Sequence, residues 1–106
     1  MRGDVFRLRA PKEARGHEQQ GQRYGVVVQA DHLMALSTWL IAPTSTAAQP
    51  ASYRPVVEVN GQTTRVIVEQ TTALDPERRL GDRVGRLRPD ELAAVDEALR
   101  DVLGLS

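Results

Sequence analysis

Short alternations of hydrophobic and polar residues predict a chain made mainly of β-strands. Residues 4–9 alternate polar with apolar side chains, which is typical of a half-buried strand with Phe6 and Leu8 facing inward. The valines within residues 23–29 form an unbroken run, which is typical of a strand buried on both faces. Comparable patterns predict further strands over residues 38–43, 56–59 and 63–68, and residues 82–87 suit another short one.

Turn signals separate these strands. Asn60 and Gly61 stand between the fourth and fifth strands as a two-residue turn, the strongest short-range signal for a hairpin. Short helical turns are predicted over residues 31–36 and 75–79. Residues 10–22 are rich in proline, glycine and charge, and are predicted to form a long mobile loop.

The last segment predicts an amphipathic helix that begins at Pro89 and ends at Gly104. Its apolar residues recur at helical spacing and are expected to cover the core: Leu92, Val95, Leu99 and Val102. Many short strands, a hairpin and a closing helix together predict one domain over residues 1–106. The expected fold is mainly β, a small bent antiparallel sheet or partly open barrel with a C-terminal helix.

The composition narrows the classes of protein to which the chain can belong. There is no cysteine, and His17 and His32 are far apart, so we expect no disulfide, no metal site and no cofactor. No apolar run is long enough to span a membrane and no leader is visible, so we expect a cytoplasmic protein without a membrane partner. The aromatic content of 4% is low, which hints that a partner chain completes the burial.

The positive charge is nearly all arginine, because Lys12 is the only lysine. The planar guanidinium suits phosphate and stacks on bases, although a GC-rich genome would produce the same bias. The net charge of zero argues against a protein that coats nucleic acid indiscriminately. Composition therefore leaves the question of an RNA partner open.

Two polar residues at the ends of predicted strands are candidates for chemistry on a phosphate. Arg23 opens the second strand, and Thr44 follows the third, just ahead of Ser45. If those strands are antiparallel neighbours, Arg23 and Thr44 lie at one edge of the sheet, as a cation and a neutral donor that clamp a phosphate. The alternatives are a surface salt bridge for Arg23 and a capping hydroxyl for Thr44.

The sequence GHEQQGQR at residues 16–23, with the short β-rich chain and the C-terminal helix, resembles the MazF/PemK family of bacterial toxin endoribonucleases. One departure is Tyr24, where the family usually has proline after the arginine. The resemblance implies an SH3-like antiparallel barrel of the MazF/PemK/CcdB type that pairs as a symmetric homodimer. It also implies sequence-selective, metal-independent cleavage of single-stranded RNA to 2′,3′-cyclic phosphate and 5′-hydroxyl ends, and neutralisation by a cognate antitoxin.

The same resemblance implies catalytic roles for Arg23 and Thr44. Glu69 matches an acid that, in one branch of the family, acts with an arginine two residues earlier. This chain has Ile67 at that position, so the role of Glu69 stays open between catalysis and structure. Contacts to RNA are expected from five further residues: His17, Glu18 and Gln19 in the motif, Ser45 beside Thr44, and Gln70 beside Glu69.

Two other functions compete with RNA cleavage. Toxins of the same fold poison DNA gyrase by binding it, but they do not need the motif at residues 16–23. A non-catalytic SH3-like module that binds a peptide would want several exposed aromatic residues, and the chain has one Trp, two Tyr and one Phe. The motif therefore favours the endoribonuclease.

Overall fold

A computed structural model describes residues 1–10 and 23–105, so most of the loop predicted over residues 10–22 lies outside the described residues. The described chain is mainly β and closes with a helix. The strands are β1 (Asp4–Leu8), β2 (Tyr24–Val27), β3 (Trp39–Ser45), β4 (Val56–Val59), β5 (Gln62–Val66), β6 (Thr72–Leu74) and β7 (Leu80–Arg86). The helices are α1 (Pro76–Arg79) and α2 (Pro89–Leu103), with single 3₁₀ turns at Asp31–Leu33 and Val68–Gln70.

The strands form one curled antiparallel sheet in the order β4-β5-β3-β2-β1-β7. β3 is the strand around which the sheet is built. β2 lies along one side of it, while β6 and β5 share the other side, β6 beside Trp39–Ile41 and β5 beside Thr44 and Ser45. The predicted antiparallel pairing of the second and third strands is confirmed.

The main core lies between the sheet and α2. Val95 and Ala98 of α2 pack with Val26, Val57 and Val66 of the strands, and all five side chains are buried. The alternation of side chains along a strand sends the neighbouring residues to the other face. That second face carries a smaller cluster of Val27, Ile41 and Leu80, against which further side chains pack: Phe6, Leu8, Met34, Trp39 and Leu74.

The second face depends on a glycine for its close packing. A Cβ atom at Gly25 would lie 2.5 Å from Cγ2 of Ile41 and 3.0 Å from Cδ2 of Leu8. Any larger residue at this position would push those two side chains apart. Gly25 therefore sets how closely β1 and β3 side chains meet across β2.

Several predicted strand details were wrong because pairing partners far along the chain decide them. On β1, Phe6 and Leu8 are half-buried against the cluster of the second face, as predicted, but Val5 is also buried, in the main core on the opposite face. The third strand continues through Thr44 and Ser45, because these residues pair with Val66 and Arg65 of β5.

The strand predicted over residues 63–68 ends instead at Val66, and Glu69 and Gln70 belong to a 3₁₀ turn. β6 was not predicted at all. Of its three residues, Thr72 and Ala73 are exposed and Leu74 is half-buried, and they become a strand by pairing with β3.

The hairpin and the last helix were predicted correctly. Asn60 and Gly61 have φ values of 54° and 80°, both in the left-handed region that this tight turn requires. The helix begins at Pro89 and its C-cap is Gly104, as expected. Val95 is buried, and Leu92 and Leu99 pack against the core, but the prediction for Val102 was wrong, since it is 37% exposed.

A buried carboxylate joins α2 to the sheet. Glu91 accepts a hydrogen bond from the Arg88 amide at 2.8 Å, which caps the helix, and a second at 2.8 Å from the Glu58 amide of β4. The helix is thus held over the main core, and the second face of the sheet stays open. Among the described residues, neither helix has the length and apolar character that crossing a membrane would require.

Candidate functional site

A cleft of about 310 Å³ opens on the second face of the sheet, away from α2. Its floor is apolar, and arginines stand around it. The lining residues are Leu8, Arg9, Ala10, Arg23, Ile41, Pro43, Gln70, Thr72, Leu74 and Arg79. They come from β1, β3, β6, the residue before β2, the 3₁₀ turn and α1, so the sheet brings together segments from across the chain.

The charged residues in the described lining of the cleft are all arginines. None of the described lining residues is acidic, and Arg9, Arg23 and Arg79 form no ion pair with any carboxylate within residues 1–10 and 23–105. Several arginines elsewhere do pair with a carboxylate: Arg2 pairs with Asp96 at 2.6 Å, for example. The cleft is therefore electropositive in a chain whose formal net charge is zero.

Arg23 is held in place through its backbone. Its carbonyl accepts a hydrogen bond of 2.9 Å from the Leu8 amide, which aligns it with the end of β1. Its side chain is exposed and lines the cleft. The structure thus places this predicted residue at the rim of the cleft, where its guanidinium can meet an anion.

The two hydroxyls predicted for the site point to different faces. Thr44 is 4% exposed, and its hydroxyl donates to the carbonyl of Tyr24 at 3.4 Å. It shares a face with Ala42 of the main core. The structure therefore does not bring Thr44 into the cleft with Arg23, because a residue that was predicted to follow the strand lies within it.

Ser45 instead shares the face of Ile41 and Pro43, both of which line the cleft. Its Oγ accepts a hydrogen bond from the Ala47 amide at 3.1 Å. That bond uses the hydroxyl as an acceptor, so its proton is available for a ligand. In the register of β2 and β3, Gly25 lies opposite Pro43, and Arg23 and Ser45 each lie two residues beyond this pair.

Glu69 lies outside the cleft lining and is engaged elsewhere. Arg54 donates to its carboxylate from both Nε, at 2.8 Å, and Nη2. These hydrogen bonds hold the pKa of Glu69 below its ordinary value, against a smaller opposing effect of burial. Gln70, the next residue, does line the cleft.

Arg54 also fastens the connection that precedes β4. It donates from Nη1 to the Gln49 carbonyl at 3.0 Å, its guanidinium lies 5.5 Å from the ring centroid of Tyr53, and its own carbonyl accepts from Arg65 at 2.9 Å. The Arg54–Glu69 pair therefore ties this connection to the turn that carries Gln70.

The remaining predicted residues of the motif, His17, Glu18 and Gln19, lie outside the described residues. His32 lies in the 3₁₀ turn at Asp31–Leu33 and is exposed, away from the cleft lining. In the part of the chain that the structure describes, no group of three or more His, Cys, Asp or Glu residues is placed to bind a metal ion.

The sequence analysis missed Arg9, Arg79 and Thr72 as members of the site. Arg9 and Arg79 are 70 residues apart, and only the pairing of β1 with β7 brings them together. An excess of arginine was visible in the composition, but no local pattern distinguishes the arginines that lack a carboxylate partner.

Comparisons with known proteins define the class of protein. A family model for the "PemK-like, MazF-like toxin of type II toxin-antitoxin system" matches residues 1–103. The Mycobacterium tuberculosis (strain ATCC 25618 / H37Rv) protein named "Putative toxin Rv3098A/RVBD_3098A" is 42% identical over 105 residues, which cover 99% of this chain and 98% of that protein.

Solved structures share the fold at low identity. An endoribonuclease from a mycobacterial species, solved in complex with its cognate antitoxin, has a TM-score of 0.82 and 18% identity, covering 100% of this chain and 96% of that one. MazF from Deinococcus radiodurans has a TM-score of 0.76 and 22% identity, covering 98% and 96% of the two chains.

The chain therefore belongs to the PemK-like, MazF-like family of toxins of type II toxin–antitoxin systems. The predicted family is confirmed, as is the mainly β fold of the MazF type with its closing helix.

Proposed function

We propose that this toxin is a sequence-selective, metal-independent endoribonuclease that cleaves single-stranded RNA. The observation that carries the proposal is the cleft with Arg9, Arg23 and Arg79 around it, none paired with a carboxylate among the described residues. Uncompensated guanidinium groups over an apolar floor suit a phosphate chain with its bases splayed onto protein. The family assignment supports the same conclusion.

The RNA supplies its own nucleophile in this mechanism. The 2′-hydroxyl oxygen attacks the adjacent phosphorus, and the bond from phosphorus to the 5′-oxygen breaks. The products are a 2′,3′-cyclic phosphate and a 5′-hydroxyl, once the proton lost by the 2′-oxygen is balanced by one gained by the 5′-oxygen. Negative charge builds up on the phosphorane oxygens, and donors held ready at that position lower the barrier.

Arg23 and Ser45 are the proposed donors to that charge. Arg23 contributes its guanidinium at the rim of the cleft. Ser45 contributes a neutral hydroxyl from the sheet face on which Ile41 and Pro43 line the cleft. This assignment replaces Thr44, whose hydroxyl is buried on the opposite face against Tyr24. Arginine and hydroxyl donors stabilise the charge without a metal, which is the basis for expecting activity in a chelator.

Glu69 is proposed as a positioning residue, because its depressed pKa makes it a poor proton acceptor and Arg54 occupies its carboxylate. Gln70 is proposed to contact RNA from the cleft lining. His17, Glu18 and Gln19 stay proposed RNA contacts on the strength of the motif.

We also propose that the chain forms a symmetric homodimer and is silenced by a cognate antitoxin. A mycobacterial endoribonuclease of this fold has been solved in complex with its antitoxin. An acidic segment of the antitoxin would meet the arginines of the cleft where RNA phosphates otherwise lie. Binding of antitoxin and RNA would then be mutually exclusive and weaker at high salt.

The test is to incubate the purified toxin with total RNA in EDTA and to map the fragment ends. Discrete cuts with 2′,3′-cyclic phosphate and 5′-hydroxyl ends are expected, and they should be lost when the antitoxin is added. If the RNA stays intact in both EDTA and Mg²⁺, the activity is not RNA cleavage. Inhibition of gyrase supercoiling would then identify the gyrase-binding alternative, and peptide capture alone would identify the binding module.

A further inference from the structure

We propose that Arg9 and Arg79 form a second phosphate site in the cleft, which holds a phosphate of single-stranded RNA other than the one that is cleaved. The proposal rests on the proposed function for its ligand. It assigns separate roles to the cationic groups around the cleft, with Arg23 at the scissile phosphate and the Arg9–Arg79 pair at a neighbouring one.

The two arginines are fixed to each other by reciprocal bonds, because Arg9 directly follows β1 and Arg79, the last residue of α1, directly precedes β7. The Arg9 amide donates to the Arg79 carbonyl at 2.7 Å, and Nε of Arg79 donates back to the Arg9 carbonyl at 3.0 Å. Nη1 of Arg9 donates to the Glu77 carbonyl at 3.1 Å. Each guanidinium is therefore oriented by backbone oxygens, which are neutral and leave its charge in place.

Most of the donor capacity of both groups remains for a ligand. A guanidinium has five N–H donors, and these contacts use one from each side chain. Neither group forms an ion pair within the described residues. Two neighbouring cations of this kind repel each other, and an anion that bridges them relieves the repulsion.

Asp75 and Glu77 are acids close to Arg79 in the sequence, and neither forms an ion pair with the two arginines within the described residues. Asp75 caps α1 by accepting from the Glu77 amide at 2.9 Å, and its other oxygen lies 3.8 Å from Nε of Arg78. Arg78 thus takes the acid and points to solvent, with a side chain 85% exposed, while Arg79 faces the cleft. Arg78 and Arg79 are therefore consecutive residues of α1, but only Arg79 lines the cleft and lacks a carboxylate partner among the described residues.

The cleft between the two phosphate positions fits a nucleotide. Leu8 and Leu74 contribute apolar floor, and Gln70 and Thr72 contribute hydrogen-bonding groups beside it. A base lying on this floor would have one flanking phosphate near Arg23 and the other near the Arg9–Arg79 pair. Unstacked bases of single-stranded RNA are bound in this way, on apolar or planar surfaces with polar groups at their edges.

The experiment measures binding of a fully 2′-O-methylated, fluorescein-labelled RNA oligonucleotide, which cannot be cleaved, across a range of salt concentrations. Arg79→Gln and Arg9→Gln are compared with wild type, and Arg78→Gln is the matched control with the same loss of charge one residue away. Each cleft variant should bind about tenfold more weakly. The slope of log affinity against log salt should fall by about 0.7, the value for one phosphate contact on a single strand. Arg78→Gln should change neither.

A second arm replaces single phosphates of the oligonucleotide, one at a time, with neutral methylphosphonates. Wild type should lose affinity at one position besides the scissile one, and Arg79→Gln should show no further loss at that same position. The first measurement of this arm uses only the wild-type protein, so it tests the proposal even if a variant folds poorly. The proposal would be overturned if wild type lost affinity only when the scissile phosphate is replaced. It would also be overturned if Arg79→Gln and Arg78→Gln bound the oligonucleotide with the same affinity and the same salt slope.

The two proposals fail in different ways. If wild type cleaves RNA and the cleft variants match the control, the second phosphate site is refuted and the proposed function stands. If wild type binds but never cleaves, and Arg79→Gln still reduces affinity and salt slope, the second site stands and the cleavage proposal fails.

Discussion

Exchanging Thr44 for valine and Ser45 for alanine should separate a buried hydroxyl from one on the strand face that carries Ile41 and Pro43 of the cleft lining. The Thr44 hydroxyl bond to the Tyr24 carbonyl is 3.4 Å long, well beyond the usual ~2.8 Å for such a pair. Its net contribution should lie at the low end of about 0.5–1.5 kcal/mol. Thr44→Val should therefore change the free energy of unfolding by less than about 1 kcal/mol and leave the cleavage rate within about twofold.

Ser45→Ala should behave in the opposite way. Its side chain lies on the strand face of Ile41 and Pro43, and its hydroxyl accepts from the Ala47 amide at 3.1 Å, so its loss costs little in folding. Removing one donor to a developing oxyanion costs about 10²–10³ in rate, or roughly 2.7–4 kcal/mol. Stability should hold and cleavage should fall by that factor.

The assay is single-turnover cleavage of a labelled RNA that contains one mapped site, with urea unfolding of each variant as the control for folding. A folded Thr44→Val that loses a hundredfold in rate, beside a Ser45→Ala that keeps its rate, would refute the assignment. The hydroxyl that matters would then be the buried one, and the cleft would have to open to expose it.

Three further predictions follow from single contacts. Gly25→Ala should cost about 1–3 kcal/mol in stability, measured by urea unfolding, because its Cβ would lie 2.5 Å from Cγ2 of Ile41; an unchanged midpoint would contradict this. Burial opposes ionisation of Asp4, but hydrogen bonds from the terminal amine and two arginines outweigh it and lower its pKa. The stabilisation that ionised Asp4 contributes should therefore be fully present above its unfolded-state pKa of about 3.9 and should be lost as the pH falls through its lower folded-state pKa. The free energy of unfolding of Asp4→Asn, measured over the same pH range, should not show this loss. Glu69→Gln and Arg54→Gln should slow cleavage by similar factors, because each breaks the same ion pair; a loss confined to the Glu69 variant would show that its carboxylate acts in the chemistry.

Local signals in the sequence were enough for the elements whose geometry is decided locally. Asn60 and Gly61 adopt left-handed conformations that few other residue types accept and that this tight turn requires. The hairpin could therefore be predicted from these two residues alone. Pro89 and Gly104 mark the ends of α2 for similar reasons. These features do not depend on what the rest of the chain does.

Elements that exist through long-range pairing could not be predicted in this way. Thr44 and Ser45 belong to β3 because β5 lies beside them, and β6 is a strand because β3 offers it an edge. The end of β3 matters for the candidate site, because strand alternation places the Thr44 and Ser45 hydroxyls on opposite faces of the sheet. The predicted strand ended two residues too early, so this difference between the two hydroxyls could not be predicted from the sequence.

The candidate site likewise contains residues that local sequence signals identify and residues that only long-range pairing brings together. Arg23 was recognisable because it ends a specific motif and directly precedes a strand. Arg9 and Arg79 were not, because their proximity depends on β1 and β7, and their uncompensated charge depends on Asp75 turning to Arg78. The pairing of Glu69 with Arg54 was equally hidden, since those residues meet through folding rather than spacing.

The most direct test of the account is the cleavage rate of Arg23→Ala beside that of Arg78→Ala, in EDTA, on an RNA with one mapped site. Arg23 lines the cleft without a carboxylate partner among the described residues, whereas Arg78 is exposed and outside the cleft lining. Arg23→Ala should stay folded and lose at least about a hundredfold in rate, while Arg78→Ala should cleave like wild type. A folded Arg23→Ala that cleaves at the wild-type rate would contradict the central claim that this cleft is the active site.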